Sequence, residues 1–288
     1  MGKFPFAMAV ALMMVTGAHP AQDPKVESVQ VDKAPVTDGK GDDEAWAAAK
    51  ALEVRAKRVM PPNLDAATTV SIRSVHTGTH VYFLIRWKDE TKDDVAHKPW
   101  AWDAAKNAYV EGPEREDMFS IGFEQTGTFD ADMLSGVEAA WDVWHWKATR
   151  TNPQGYAMDR SHRYTRAKPE GKAKEFKAKD GSTIWIARPE DAGDTVEKKR
   201  AAPGSKEGDR VPQYLPGTPT GSAADVRAKG IWADGWWTLE LERKLDTGNA
   251  DDTKFDLKRA YKFAVGPHDR TGDMDKASGV LELTFRGR

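Results

Sequence analysis

The chain of 288 residues contains no cysteine. Without thiols there is no disulfide, no thiolate zinc site and no cysteine-held iron–sulfur cluster, and no haem can be attached through Cys-x-x-Cys-His. An excess of either charge is also lacking: 43 Lys and Arg stand against 45 Asp and Glu. A nucleic-acid-binding surface normally shows as a basic excess, so that class of partner is not expected. Gly-x-Ser-x-Gly, His-Glu-x-x-His and phosphate-loop motifs are missing, and nothing in the scattered carboxylates argues for a hydrolase. Long helical periodicity is absent as well, which argues against a helical fold.

What is present begins with tryptophan. Eleven indoles among 288 residues exceed what a core of this size needs. A flat, partly apolar ligand, either a sugar or a porphyrin, would suit them. The apolar run at residues 4–15 follows Lys3 and is followed by Thr16, Gly17 and Ala18. One charge, a short apolar core and a small-residue exit describe a signal peptide cleaved near Ala18 or Ala21, so residues 1–21 are set aside and a periplasmic location is expected. The run is shorter than the roughly 20 residues that span a bilayer, and no later segment is apolar enough to cross one.

Residues 22–288 read as one domain. Asp38-Gly39-Lys40-Gly41 makes a turn, and Asp42 or Asp43 can cap a short helix over residues 44–50. Val70 and Ile72 alternate, as do Val81, Phe83, Ile85 and Trp87, with a turn at residues 77–79 between the two runs: a hairpin. The same period of two recurs at Phe119, Ile121 and Phe123; at Trp141, Val143 and His145; and at Trp237, Leu239 and Leu241. Tyr261, Phe263 and Val265, then Leu281, Leu283 and Phe285, complete the set. Many short strands separated by turn signals predict an all-β antiparallel sandwich. Residues 168–229 are rich in Lys, Glu, Asp, Gly and Pro and read as a long charged insertion or lid, with one strand-like island at residues 183–187.

The densest constellation runs Trp141-Asp-Val-Trp-His145-Trp-Lys147 and continues through Arg150, Asn152, Pro153, Gly155 and Tyr156. On a strand, Trp141, Val143, His145 and Lys147 point one way while Asp142, Trp144 and Trp146 point the other. Both faces carry bulky groups, so both are expected to be covered. His145 taken alone reads as a hydrogen-bonded core residue before it reads as a metal ligand.

This segment resembles the signature of the ethylbenzene dehydrogenase-related haem-binding domain family, which includes the haem b gamma subunits of molybdenum enzymes of the dimethyl sulfoxide reductase class. Other pieces agree in order: Asp38 to Trp46, His80 to Asp89, Glu116 to Phe119, Trp232 to Leu245 and Tyr261 to Val265. The resemblance implies a β-sandwich like that of family 9 carbohydrate-binding modules. It also implies a non-covalent haem b, whose iron is the bound metal, and electron transfer rather than catalysis. The expected partners are a molybdenum catalytic subunit, an iron–sulfur subunit and a soluble cytochrome.

Carried over by position, the iron ligands are Met133 and Lys276, with His268 as the alternative to the lysine. Thioether is a soft neutral ligand, whereas an amine ligates only once deprotonated. Met274 and Met118 are lesser substitutes. His145, Trp144 and Trp146 are expected near the cofactor, and Lys147, Arg150 and Arg270 could pair with haem propionates. Relatives that carry Cys-x-x-Cys-His near Met133 attach haem covalently, and this chain does not. The competing expectation is a carbohydrate-binding sandwich without haem, with Trp236 and Trp237 or Trp100 and Trp102 as the sugar platform.

Overall fold

In the computed structural model, residues 23–59, 63–271 and 275–287 are described. The expected signal segment and Met274 lie outside them.

After β1 (Lys25–Gln30), a single 3-10 turn at Glu44–Ala48 buries Trp46. This is shorter than the expected helix and has no side-chain cap; Asp43 Oδ2 instead accepts from Val36 N at 2.9 Å. β2 (Leu52–Arg58), β3 (Ala67–His76) and β4 (His80–Lys88) follow as an antiparallel run, and the predicted hairpin is the β3–β4 pair. β5 (Trp100–Asp103) and β6 (Ala108–Glu111) make a small hairpin. β7 (Met118–Gly127), β8 (Ala139–Lys147) and β9 (Met158–Thr165) then form an antiparallel meander.

The charged segment 168–229 is more ordered than its composition suggests. β10 (Ala173–Lys177) and β11 (Thr183–Ala187) extend the sheet beyond β9. β12 (Glu197–Lys199), β13 (Arg210–Val211) and β14 (Tyr214–Pro216) also lie in this segment. β12 pairs with β14, and β13 joins the β5–β6 hairpin. The single strand expected here is β11; the others lack the apolar alternation that a buried face imposes. β15 (Arg227–Ala233), β16 (Trp236–Lys244), β17 (Tyr261–His268), β18 (Lys276–Ala277) and β19 (Leu281–Arg286) complete the chain.

The protein is all-β, built from one long sheet folded into two facing layers. One layer runs β15-β16-β4-β3, and the other runs β10-β11-β9-β8-β7-β17-β19. β1 joins them, parallel to both β19 and β3. Between the layers the alternating residues interdigitate. Phe83 meets Phe123 and Trp144 at centroid distances of 5.7 and 5.9 Å, and Trp87 meets Phe119 and Trp146 at 5.0 and 6.1 Å. Every one of these rings is buried.

The open side is closed by Asn152. Its Oδ1 accepts from Trp146 Nε1 at 3.0 Å and from Gly230 N at 2.7 Å, and its Nδ2 donates to Gly230 O at 3.0 Å. β15 is thereby tied to the turn after β8. Gly230 is required there, because a Cβ would lie 2.4 Å from Trp146 Cζ2. Among the described residues no helix is long and apolar enough to cross a membrane.

Candidate functional site

The site lies on the outer face of the β8-β7-β17 strands, opposite the inter-layer core. Period-two alternation turns Val143 and His145 of β8 outward. It does the same for Ser120 and Gly122 of β7, and for Ala264, Gly266 and His268 of β17, as their register shows. These are central strands with neighbours on both sides, yet Ser120, His145 and Ala264 keep partial exposure. Small residues at 120, 122, 264 and 266 make this stretch of the face low, with bulkier groups around it.

Two segments flank the low stretch. Met133, in the β7–β8 loop, packs with Leu134, Ala264 and Val280 against a cluster containing Phe129, Trp141, Val143 and Tyr164. Arg188 Nη2 lies 3.8 Å from its sulfur. On the other side, the chain at Lys276 crosses β17: a Cβ on Gly266 would stand only 2.7 Å from the Lys276 carbonyl oxygen. Ser278 N donates to Val265 O at 2.8 Å and fixes that crossing. Lys276 Nζ rests 3.1 Å from Asp275 Oδ2, and its side chain is 12% exposed. The Met133 and Lys276 segments therefore border one face, although the side-chain polar contacts of the two residues have no partner in common.

His145 and His268 come together. Their ring centroids are 5.6 Å apart, and His268 Nε2 shares a 2.6 Å hydrogen bond with Ser120 Oγ. His145 Nε2 is buried without a hydrogen-bond partner. Burial, aided by the Lys147 and His268 charges, holds the His145 pKa well below its ordinary value and so favours the neutral ring.

The remaining sequence-predicted residues are placed differently. Trp144 and Trp146 are fully buried between the layers, turned away from the outer face by the pleat. Their expected place beside a cofactor is corrected: they are core, because the inner side of β8 faces the other layer. Lys147 donates to Glu197 at 2.6 Å, and burial pushes its pKa down to about 8 against the pull of that carboxylate. Arg150 pairs with Glu116 and, at 3.2 Å, with Glu197, and its guanidinium stacks over Tyr214 at 4.6 Å. Both cations are thus already matched by buried carboxylates. Arg270 is exposed, 3.8 Å from Asp93, and Met118 is buried with its sulfur 3.3 Å from Arg150 Nη2.

The alternative aromatic platform does not form as a pair at Trp236 and Trp237. Trp236 is 40% exposed beneath Arg86, whereas Trp237 is buried and donates to Asp117. Trp100 and Trp102 are half-buried, the latter edge-on to Tyr109 at 5.1 Å.

Sequence reasoning missed Ser120, Gly122, Ala264 and Gly266. Their signal was two successive small residues at outward positions in β7 and in β17, beside inward Phe, Ile and Val.

A two-layered all-β protein with sulfur, amine and imidazole groups bordering one outer face is the class that fold and site define. The chain belongs to the ethylbenzene dehydrogenase family, which it matches over residues 43–278. No curated protein matches it. Among solved structures, it is similar to a family 9 carbohydrate-binding module from Caldicellulosiruptor kristjanssonii in complex with glucose. That likeness has 10% identity, covers 93% of this chain and 97% of that one, and has a TM-score of 0.39. The same module in complex with cellotriose gives 10% identity, 92% and 94% coverage and a TM-score of 0.39. A putative carbohydrate-binding protein from Bacteroides uniformis gives 8% identity, 92% and 100% coverage and a TM-score of 0.44. At such scores neither sugar is carried over to this chain.

Proposed function

We propose that this protein is a periplasmic electron-transfer protein or subunit that holds a non-covalent haem b over the outer face of β7, β8 and β17. The observation that carries the reading is the convergence of the Met133 loop and the Lys276 crossing on one low, partly exposed face. The residues there suit such a group. The small side chains at 120, 122 and 264 leave room for a flat ring beside the Lys276 crossing over Gly266, and the donors at its border are a thioether, an amine and two imidazoles. The unpartnered Nε2 of His145 is a further polar atom that a bound group could satisfy.

In this reading Met133 and Lys276 would hold the iron, with His268 as the alternative to Lys276. When bound, the haem supplies a one-electron carrier whose potential the thioether tends to raise. Lys276 would ligate only through a neutral amine, and its Nζ is positioned 3.1 Å from Asp275 Oδ2. His268 is held by Ser120. Phe129, Trp141 and Tyr164 keep the Met133 side apolar. Export by the N-terminal segment would deliver the protein to a molybdenum catalytic subunit, its iron–sulfur partner and a soluble cytochrome.

The test is the absorption spectrum of the purified protein, oxidised and dithionite-reduced, with pyridine haemochrome analysis. Sharp α and β bands and a b-type haemochrome are expected. A protein that stays colourless after haem reconstitution would overturn the reading and leave sugar binding, tested at Trp100 and Trp102, as the successor.

A further inference from the structure

The inner ends of β8 and β9 hold an unusual charge imbalance. Asp142, Asp159 and Asp252 are all buried, and each directs a carboxylate oxygen into a space where the three oxygens lie within 4.8 Å of one another. The cation that reaches them is Arg243 of β16, fully buried and stacked 4.9 Å from both Trp144 and Phe255. Its Nη1 donates to Asp142 Oδ2 and lies 3.4 Å from Asp252 Oδ1, while its Nη2 donates to Thr253 O. Asp142 Oδ2 also takes Thr253 N at 2.8 Å, and Asp252 Oδ2 takes Thr247 Oγ1 at 2.5 Å.

These contacts leave much unsatisfied. Asp159 is 2% exposed, and neither of its carboxylate oxygens has a hydrogen-bond partner. Asp142 Oδ1 and Asp252 Oδ1 are likewise buried without one. A fourth carboxylate, Asp191, stands beside the cluster; Ser161 N, from the β9 residue paired with Asp142, holds its Oδ1 at 3.1 Å. Its Oδ2 is buried and unpartnered too. Among the described residues one guanidinium reaches this cluster of four carboxylates, and five of their oxygens accept no hydrogen bond, Asp252 Oδ1 having only its 3.4 Å ion pair with Arg243. Leaving buried charge uncompensated costs several kcal/mol per ion, so such a cluster needs either protons or a cation.

We propose that Asp142, Asp159 and Asp252, backed by Asp191, form a structural site for a hard divalent cation, with Ca2+ as the best match. Converging carboxylate oxygens with no other partner are the donor set of Ca2+, which accepts six to eight oxygens in flexible geometry. Opposite ligands of such an ion are about 5 Å apart, which accommodates the observed spread, whereas Mg2+ requires a tighter octahedron. The ion would bind the inner ends of β8 and β9 to the loop before β17. That is the side of β8 away from the His145 face, so this inference does not depend on the haem reading.

The experiment uses the mature full chain, stripped with EGTA. Ca2+ is titrated while the melting temperature is followed, and Tb3+ is titrated while its emission is followed on indole excitation. Trp144, the register partner of Asp159, is the adjacent sensitiser. One Ca2+ per chain is expected, with a rise in melting temperature that Mg2+ does not reproduce and Tb3+ emission that Ca2+ abolishes. Asp159→Asn should lower Ca2+ affinity by more than about tenfold while leaving haem content unchanged. The site is refuted if neither melting temperature nor Tb3+ emission responds in the wild type, or if both responses persist unchanged in Asp159→Asn. Should that variant not fold, Asp252→Asn is read by the same two criteria.

Discussion

His145 of β8 and His268 of β17 sit on either side of β7, yet their rings approach to a centroid distance of 5.6 Å above Ser120. The chain separates them by more than a hundred residues. They meet because β7 pairs with both strands and places the short side chain of Ser120, the register partner of His145, beside the His268 ring.

Replacing Met133 or Lys276 by Ala is expected to abolish the low-spin reduced spectrum of the reconstituted protein, whereas His268→Ala should retain it. Titration with haem followed in the visible range checks this. Retention in Lys276→Ala together with loss in His268→Ala would move the second ligand to His268.

Gly266→Ala should be poorly tolerated although its backbone is not left-handed. The new methyl would meet the Lys276 carbonyl at 2.7 Å, and a backbone atom cannot swing aside. A loss of about 1–3 kcal/mol in denaturant melts is expected from such overpacking. A parallel fall in haem affinity would show that the crossing at Lys276 matters to the ligand as well as to the fold.

Asn152→Ala removes three hydrogen bonds and leaves Trp146 Nε1 and the Gly230 backbone without their partner. Each buried unsatisfied group costs about 1–3 kcal/mol, so this change should be among the more damaging outside the core. Asn152→Asp should recover only part of the loss, because a carboxylate accepts but cannot donate to Gly230 O. Chemical denaturation of the three proteins tests the order.

Asp117 supplies a pH signature. It is fully buried, and burial, with Asp89 adding repulsion, raises its carboxyl to about 7 despite hydrogen bonds from Asp93 N, Trp237 Nε1 and Arg270 N. The folded protein keeps a proton there that the unfolded chain releases near pH 4. This group's contribution to stability is thus greatest below about pH 4 and declines as pH rises to about 7, by an amount on the order of a few kcal/mol. Asp117→Asn should flatten the pH profile of stability over that window; an unchanged slope would assign it to other groups.

The period-two alternation exposed the core strands in advance, because a two-layered sheet must bury one face of each strand and the apolar residues mark which face. Phe119, Ile121 and Phe123 and the β16 and β17 runs are such cases. The charged segment was less legible. β10, β12 and β14 pair at edges or in small sheets with little buried apolar area, so no alternation is imposed on them. Trp144 and Trp146 show the same limit at the site. Their abundance suggested a ligand, but only the direction of the pleat separates an indole that fills the core from one that faces outward.

By itself, then, the sequence determined the core strands, the all-β class and the kinship, since these rest on local periodicity and on motifs in order along the chain. The tertiary structure alone decided that His145 meets His268, that the Met133 and Lys276 segments border one face, and that Arg243 is buried among converging aspartates. Such encounters follow from strand order and register, which bring distant residues to within a few ångströms and leave no trace in their local sequence.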